Sequence, residues 1–176
     1  GDCGGSCTGH TIIGNGQETG NTITVTGGPH DIILENVNIN VSGTSGACAF
    51  DMKGAQVNLT LKGSNTLKSG QFKPAILTGR NGVLAIDGSL DDTLTAYGGQ
   101  EAAGIGGGRN DNDRGTEAHG GSITINGGSI TAKALDYGAG IGDGDYGGTE
   151  GDGIENQGSA SIVINGGKVV IEKAFF

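Results

Sequence analysis

Short runs of alternating aliphatic and polar residues recur along this chain, and each run ends at a bend rich in glycine. Residues 122–132 read SITINGGSITA, and residues 161–171 return to nearly the same pattern as SIVINGGKVVI. Alternation with a period of two residues is typical of a strand that buries one face. Each copy is therefore predicted to be a strand, a bend and a second strand. The Asn-Gly-Gly corner also suits a hairpin, but tandem recurrence of the whole unit favours a solenoid.

The repeat extends back through the chain when it is aligned on pairs of aliphatic residues that stand just before a bend. A second run follows each bend, and a third run of small apolar residues precedes most pairs. This organisation predicts an all-β solenoid with three short strands per coil and about five coils. The aligned pairs are Ile32/Leu34, Leu59/Leu61, Leu84/Ile86, Ile123/Ile125 and Ile162/Ile164. The second runs are 37–41, 65–68, 93–96, 129–132 and 168–171, and the third runs are 47–50, 75–77, 102–105 and 138–141.

Glycine content changes this picture little. The chain has 39 glycines among 176 residues and a hydrophobic share of 34%, a composition that also occurs in disordered segments. Periodic aliphatic pairs argue for a solenoid instead, because its coils need tight corners and a thin aliphatic interior. We expect a cysteine-containing cap or linker over residues 1–20. One solenoid domain is expected over 21–176, with long loops at 107–121 and 143–160.

The balance of charge bears on the partners. The formal net charge is −9 and the pI is about 4.5, so electrostatics oppose binding to nucleic acid or to an anionic membrane surface. The sequence contains no apolar run near the roughly 20 residues that a membrane-spanning helix requires. We therefore expect neither a nucleic-acid partner nor membrane insertion.

Two of the three cysteines, Cys3 and Cys7, lie close together in the segment CGGSC. They are interpreted as a small-loop disulfide or a pair of free thiols, and half of a metal site is the competing interpretation. Cys48 lies in a small apolar run and is expected to be a buried thiol that acts as a hydrophobic residue.

Both long loops fall at the same place in consecutive coils, so they are predicted to project from one side of the solenoid. Their carboxylates, interspersed with glycine and asparagine, suit Ca²⁺, which takes six to eight oxygen ligands from flexible loops. A solvated acidic rim that keeps the rod soluble is the alternative, and a glycosidase-like carboxylate pair is a third interpretation. The candidate calcium ligands are Asp111, Asp113, Asp143, Asp145 and Asp152.

Tyrosines near this same side provide a candidate ligand platform. Tyr97 and Tyr137 stand ahead of the short strands of successive coils, and Tyr146 lies in the second loop. Exposed aromatic rings stack on the faces of sugars, although packing at corners explains the same residues. Arg109 and Asn110, at the start of the first loop, complete the predicted ligand-binding set.

The repeat resembles a known kind of protein segment. The stretch AGIGGG at 103–108 and the stretch GGSITINGG at 120–128, with a partial return at 138–142, resemble the glycine-rich β-solenoid segments of large secreted or wall-attached proteins of anaerobic Gram-positive bacteria. Those proteins are carbohydrate-binding-like or adhesin-like. The resemblance implies a right-handed, single-stranded parallel β-helix, an extracellular location, either secreted or attached to the cell wall, and calcium-assisted binding of polysaccharide. It carries over no catalytic residue.

These observations predict a non-catalytic extracellular module of a bacterial surface protein that binds polysaccharide or another surface ligand. Two alternatives stay open. The first is a structural spacer or fibre subunit, because the open ends of a solenoid favour end-to-end self-association. The second is a calcium-dependent enzyme that resembles polysaccharide lyases.

Overall fold

A computed structural model describes residues 9–109, 118–145 and 160–174. Its strands assemble into three sheets, and every paired strand runs parallel to its neighbours. Sheet 1 contains, in spatial order, β1 (Gly9–Ile13), β3 (His30–Glu35), β6 (Gln56–Lys62), β9 (Val83–Asp87), β12 (Ser122–Ile125) and β15 (Ser161–Ile164). Sheet 2 contains β4 (Asn38–Asn40), β7 (Ser64–Lys68), β10 (Thr93–Gln100), β13 (Ser129–Leu135) and β16 (Lys168–Ala174). Sheet 3 contains β2 (Ile23–Thr24), β5 (Phe50–Asp51), β8 (Ile76–Leu77), β11 (Ile105–Gly106) and β14 (Ile141–Gly142).

Neighbouring strands in each sheet come from successive coils, so the chain visits the three sheets in turn and then starts the next coil. This confirms the predicted parallel β-helix with three strands per coil. Sheet 1 has six described strands where about five coils were predicted, because β1 adds a strand within the segment that was expected to be a cap or linker. Thr19, in the same segment, forms a parallel bridge to Ile39 of sheet 2.

Aliphatic side chains stack in columns through the interior. Ile32 pairs with Leu59 and Leu34 with Leu61, while Ile123 and Ile125 continue to Ile162 and Ile164. In sheet 3 the column runs through Ile23, Phe50, Ile76, Ile105 and Ile141. Most of these side chains are buried, whereas the last coil leaves its inward residues exposed. Since each buried side chain contacts equivalents above and below, the core is one continuous column.

One predicted alignment was wrong by two residues. Leu59 pairs with Ile86, and Val57 pairs with Leu84, whereas the sequence pattern aligned Leu59 with Leu84. A slip of two residues keeps the same side chains on the same face, so alternation cannot detect it. The early coils are therefore regular, with partners such as Asp31 and Asn58 27 residues apart.

The Asn-Gly-Gly corner at residues 126–128 turns the chain from sheet 1 into sheet 2 and does not form a hairpin, as the solenoid interpretation predicted. Gly128 has a φ of 85°, a left-handed conformation that glycine adopts without steric cost. Asn165 of the following coil donates its side-chain amide to Oδ1 of Asn126 at 2.9 Å. The asparagines of successive corners therefore bond to each other.

Asn65, two residues after the bend at Gly63, takes the place of an aliphatic in an interior column, between Val37 and Leu94. Its side chain is fully buried. Its Oδ1 accepts a hydrogen bond from the backbone N–H of Val37 at 3.0 Å, and its Nδ2 donates to the carbonyls of Lys62 and Thr93. The amide thus satisfies backbone groups that point inward where the chain bends.

Candidate functional site

The outward face of sheet 2 carries two columns of hydroxyl side chains. Thr66, Thr95 and Thr131 pair directly from coil to coil, and beside them Ser64, Thr93 and Ser129 form a second column. The Thr93 hydroxyl donates to the Ser64 hydroxyl at 3.3 Å. Because parallel strands lie about 4.8 Å apart, the two columns form a flat and regular array of hydroxyl groups.

A third outward column lies beside the hydroxyl columns and contains charged and aromatic side chains. Tyr97 pairs with Lys68 of the preceding coil and with Lys133 of the following coil. The Lys68 Nζ lies 5.3 Å from the centroid of the Tyr97 ring, and the Lys133 Nζ lies 5.0 Å from it. Both distances fit cation–π contacts, so an ammonium group flanks the ring from each neighbouring strand.

An open groove of about 480 Å³ lies along this third column. Its charged lining residues are Lys68, Lys133, Glu172 and Lys173, with Tyr97, Leu135 and Ser42 among the remaining walls. The Lys133 Nζ contacts Glu172 Oε2 at 2.7 Å. This hydrogen bond raises the pKa of Lys133 above its usual value, with burial acting weakly in the opposite direction. The Lys133 amine is therefore protonated and positively charged at neutral pH.

The tyrosines predicted as a platform do not form one row. Tyr97 aligns with Lys133 in the next coil, and Tyr137 lies in the turn after β13 with 76% of its surface exposed. The two tyrosines do not align because β10 and β13 are longer than the predicted runs 93–96 and 129–132. Tyr97 therefore lies within β10, whereas Tyr137 follows the end of β13. Tyr146 lies outside the described residues.

Arg109 is held by protein groups at the start of the first loop. Its guanidinium forms an ion pair with Glu101 at 2.8 Å and lies over the Phe72 ring at 4.7 Å. Its backbone N–H donates to the Phe72 carbonyl at 2.9 Å. These contacts fix the side chain beside sheet 3, away from the third column of sheet 2. Asn110, the other predicted ligand residue of this loop, lies outside the described residues.

The described ends of the two long loops lie against each other. The Gly107 N–H donates to the Gly142 carbonyl at 2.8 Å, and the Gly144 N–H donates to the Ala118 carbonyl at 2.9 Å. The prediction that both loops leave from one side of the solenoid is therefore confirmed for these ends.

Among the five predicted calcium ligands, only Asp143 and Asp145 lie in the described residues. Asp143 Oδ1 accepts hydrogen bonds from the backbone N–H groups of Gly120 at 2.8 Å and Ala160 at 3.1 Å, so this carboxylate joins the ends of both loops. No group of three potential metal ligands occurs within 9–109, 118–145 and 160–174. Calcium binding stays a prediction, since Asp111, Asp113 and Asp152 lie outside the described residues.

The cysteine predictions have different outcomes. Cys3 and Cys7 lie outside the described residues, so their pairing stays a prediction. Cys48 is a free, half-buried thiol whose Sγ lies 3.3 Å from the Phe50 carbonyl and 3.4 Å from that of Pro74. Burial, followed by the nearby charge of Asp51, raises its pKa to about 12. The thiol is therefore neutral, as the sequence interpretation expected.

The sequence pattern did not single out Lys133 or Glu172 as candidate site residues. The signal was present in the runs after each bend, which read TLK, TAY, TAK and VIE at 66–68, 95–97, 131–133 and 170–172. Stacking these runs brings Lys68, Tyr97, Lys133 and Glu172 into one column. Only the register of the strands shows that the four side chains meet.

Comparison with known families supports the architecture. A family model described as a beta helix repeat matches residues 91–109 and 123–145, which cover β10, β11, most of β12, β13 and β14. No curated protein and no solved structure matches the chain. Within the part of the chain that the structure describes, no helix has the length and apolar character needed to cross a membrane. The fold and the match together define a protein that contains a parallel β-helix repeat domain.

Proposed function

We propose that this chain is a non-catalytic extracellular module that binds polysaccharide on the outward face of sheet 2. The observation that carries the proposal is the alignment of two hydroxyl columns with a Lys-Tyr-Lys column on a single flat sheet. The extracellular location is supported by the resemblance of the glycine-rich repeat to secreted and wall-attached proteins.

The chemistry of this face suits an extended polymer of sugars. Serine and threonine hydroxyls both donate and accept hydrogen bonds, and they match the hydroxyl groups of a sugar directly or through bridging water. Each contact is weak, but a polymer meets the same groups again at each coil. Repeated contacts along one chain raise the overall affinity without any deep pocket.

The charged groups of this face favour binding over catalysis. A general base must be able to take a proton at the working pH, whereas the raised pKa of Lys133 keeps its amine protonated. Glu172 is held in an ion pair with that amine. We therefore assign Lys133 to ligand contact, with Glu172 as the partner of its amine in the unbound protein.

Retention on immobilised polysaccharides tests the proposal, with a panel of neutral and acidic polymers in calcium and again in chelator. The variant T66V/T95V/T131V removes three hydroxyls while keeping side-chain shape, and T60V/T124V on the outward face of sheet 1 is the matched control. Losing several hydrogen bonds of about 1 kcal/mol each is expected to weaken retention by at least about tenfold. The control should bind like the parent protein.

If both variants bind equally well, sheet 2 is not the binding face. Loss of retention in chelator alone would instead support the predicted calcium site.

A second candidate function is end-to-end assembly into a fibre or spacer. The last described coil exposes aliphatic side chains at positions that inner coils bury, with Ile162, Ile164 and Ile171 between 42% and 58% exposed. Among the described strands, β15 and β16 are also the last of their sheets, and an edge strand of this kind can pair with another chain. Analytical ultracentrifugation tests this candidate: concentration-dependent growth that I164K abolishes would support it, and a monomer at all concentrations would exclude it.

A further inference from the structure

The groove beside Tyr97 has a local charge opposite to that of the chain. The sequence contains 19 acidic residues against 10 lysines and arginines. The groove nevertheless combines three lysines, Lys68, Lys133 and Lys173, with Glu172 as the acidic lining residue. A face that contacted neutral sugars alone would need only hydroxyl and aromatic groups. The lysines therefore require a separate explanation.

Lys68 and Lys133 differ in how their charges are balanced. Lys133 contacts the Glu172 carboxylate at 2.7 Å. For Lys68 the structure shows a contact with the Tyr97 ring and, among the described residues, no carboxylate within ion-pair distance. A cation–π contact stabilises a cation but supplies no negative charge to neutralise it. Lys68 thus contributes positive charge to the groove that no carboxylate of the described residues compensates.

We infer that this groove binds an anionic group of the polysaccharide, a carboxylate or a sulfate, between Lys68 and Lys133 at the edge of Tyr97. The inference rests on the proposed function and specifies the chemical class of its ligand. The two lysines are two strands apart, so their Cα atoms are separated by roughly 10 Å. Both ammonium groups lie within 5.3 Å of the centroid of the same ring, and both lysines line the same groove. A bound anion contacts Lys68 directly and competes for Lys133.

Glu172 has the position of an internal competitor for this anion. Its side chain is 49% exposed, and an ion pair so close to solvent contributes little stability. A carboxylate or sulfate on the ligand replaces Glu172 at Lys133 at small cost. A neutral sugar offers no charge with which to do so. Glu172 therefore lowers the affinity of any ligand that contacts Lys133, and a negative charge on the ligand offsets that cost.

Four polymers separate this inference from the proposed function: polygalacturonate, its fully methyl-esterified form, dextran sulfate and a neutral β-glucan. We expect retention of polygalacturonate or dextran sulfate, and the stronger of the two identifies the anionic group. Retention should decline toward 1 M salt, where the Debye length is about 3 Å. The esterified polymer should bind weakly, because it keeps the sugar backbone and lacks the charge.

Variants assign the effect to the groove. K68M keeps the apolar stem and removes the charge, and we expect it to weaken binding of the acidic polymer by roughly tenfold, the effect of one charge-assisted hydrogen bond. K62M, at the exposed end of β6 on sheet 1, is the matched control and should leave binding unchanged. E172Q should tighten binding by about twofold to fivefold, since it removes the competitor. Circular dichroism and the thermal midpoint check that each variant is folded.

The results that would overturn the inference differ from those that would overturn the proposed function. Equal retention of the esterified polymer, or a K68M protein that binds like the parent, shows that charge is not recognised. Retention of the β-glucan alone, lost in T66V/T95V/T131V, would keep the proposed function and reject the anionic site. Equal retention by double-stranded DNA with the same dependence on Lys68 would reject a polysaccharide ligand. Retention of none of the four polymers would count against both proposals.

Discussion

The outward faces of sheets 1 and 2 belong to the same coils but differ in regularity. On sheet 2 each of the two hydroxyl columns keeps one kind of side chain over three consecutive coils. On sheet 1 an equivalent column changes chemistry at every coil, passing through Asp31, Asn58, Ala85, Thr124 and Val163. The fold itself therefore does not impose regular outward columns.

Inward positions differ less between the two sheets. In sheet 1 the interior column contains Leu59, Ile86 and Ile125, all 0–1% exposed. In sheet 2 it contains Leu94 and Ile130, both fully buried, together with the buried amide of Asn65. Both sheets need a dry aliphatic interior, because the stability of a solenoid depends on contacts between neighbouring coils. The outward face is free of this requirement, so its regularity on sheet 2 supports the proposal of a ligand that is itself repetitive.

The largest expected effect tests whether the two interiors are equivalent. Leu84→Ala in sheet 1 and Leu94→Ala in sheet 2 each leave a cavity at a fully buried site. Each is expected to lower the free energy of unfolding by about 2–5 kcal/mol, as measured by urea denaturation. L90A, at a side chain that is 67% exposed, is the control and should change stability little. A difference above about 3 kcal/mol between the two core variants would show that the sheets are not equally important to the core.

The next effect concerns the corner that joins the two sheets. Asn65→Leu restores an aliphatic to the interior column but leaves the Val37 N–H without its acceptor. We expect a loss of about 1–3 kcal/mol, the cost of an unsatisfied buried donor. Hydrogen exchange at Val37 provides a local measurement and should become faster. A stabilised variant would mean that hydrophobic packing outweighs the backbone hydrogen bond.

Much of the fold could be predicted from the sequence because its signals are local and repeated. Alternation identified the strands of sheets 1 and 2, and the glycine corners separated them. The short strands of sheet 3 were located less well: residues 47–50 were expected where the strand is Phe50–Asp51. Two-residue strands contain too few alternating positions to define their ends. A shift of two residues in the pairing of two strands also leaves the alternating pattern unchanged, so the pattern cannot detect it.

The candidate site was predicted less completely, for a physical reason. Tyr97, Lys133 and Glu172 belong to three different coils and meet only because β10, β13 and β16 are in register. The sequence pattern drew attention instead to Tyr137 and Arg109. The first lies in an exposed turn and the second is paired with Glu101. Residue type alone does not distinguish an available side chain from one already engaged by the protein.

A smaller effect concerns the thiol next to sheet 3. The pKa of Cys48 is raised from 9.0 to about 12, so the unfolded chain loses this proton first as the pH rises. Below about pH 8 both states keep the proton and no effect is expected. From about pH 9 the folded state holds more protons than the unfolded state, and the free energy of unfolding falls until pH reaches about 12.

The comparison of wild type with Cys48→Ala isolates this effect from other titrating groups. At about pH 10 the wild type should have lost about 1.4 kcal/mol relative to the variant, compared with their difference at neutral pH. Urea denaturation at several pH values measures it. Parallel pH profiles for the two proteins would show that the thiol is not desolvated in the folded chain.

The smallest expected effect on stability concerns the hydroxyl column on the outward face of sheet 2. T66V/T95V/T131V changes half-exposed side chains, and surface substitutions of this kind usually change stability by no more than about 0.5 kcal/mol each. Valine also has a high propensity for strands, which offsets the loss of the Thr hydroxyls. If the variant unfolds at the same urea concentration as the parent and no longer binds polymer, the threonine column serves recognition. If it is destabilised by about 2 kcal/mol or more, the hydroxyl column holds the coils together, and its regularity would then reflect structure, in contrast to the irregular face of sheet 1.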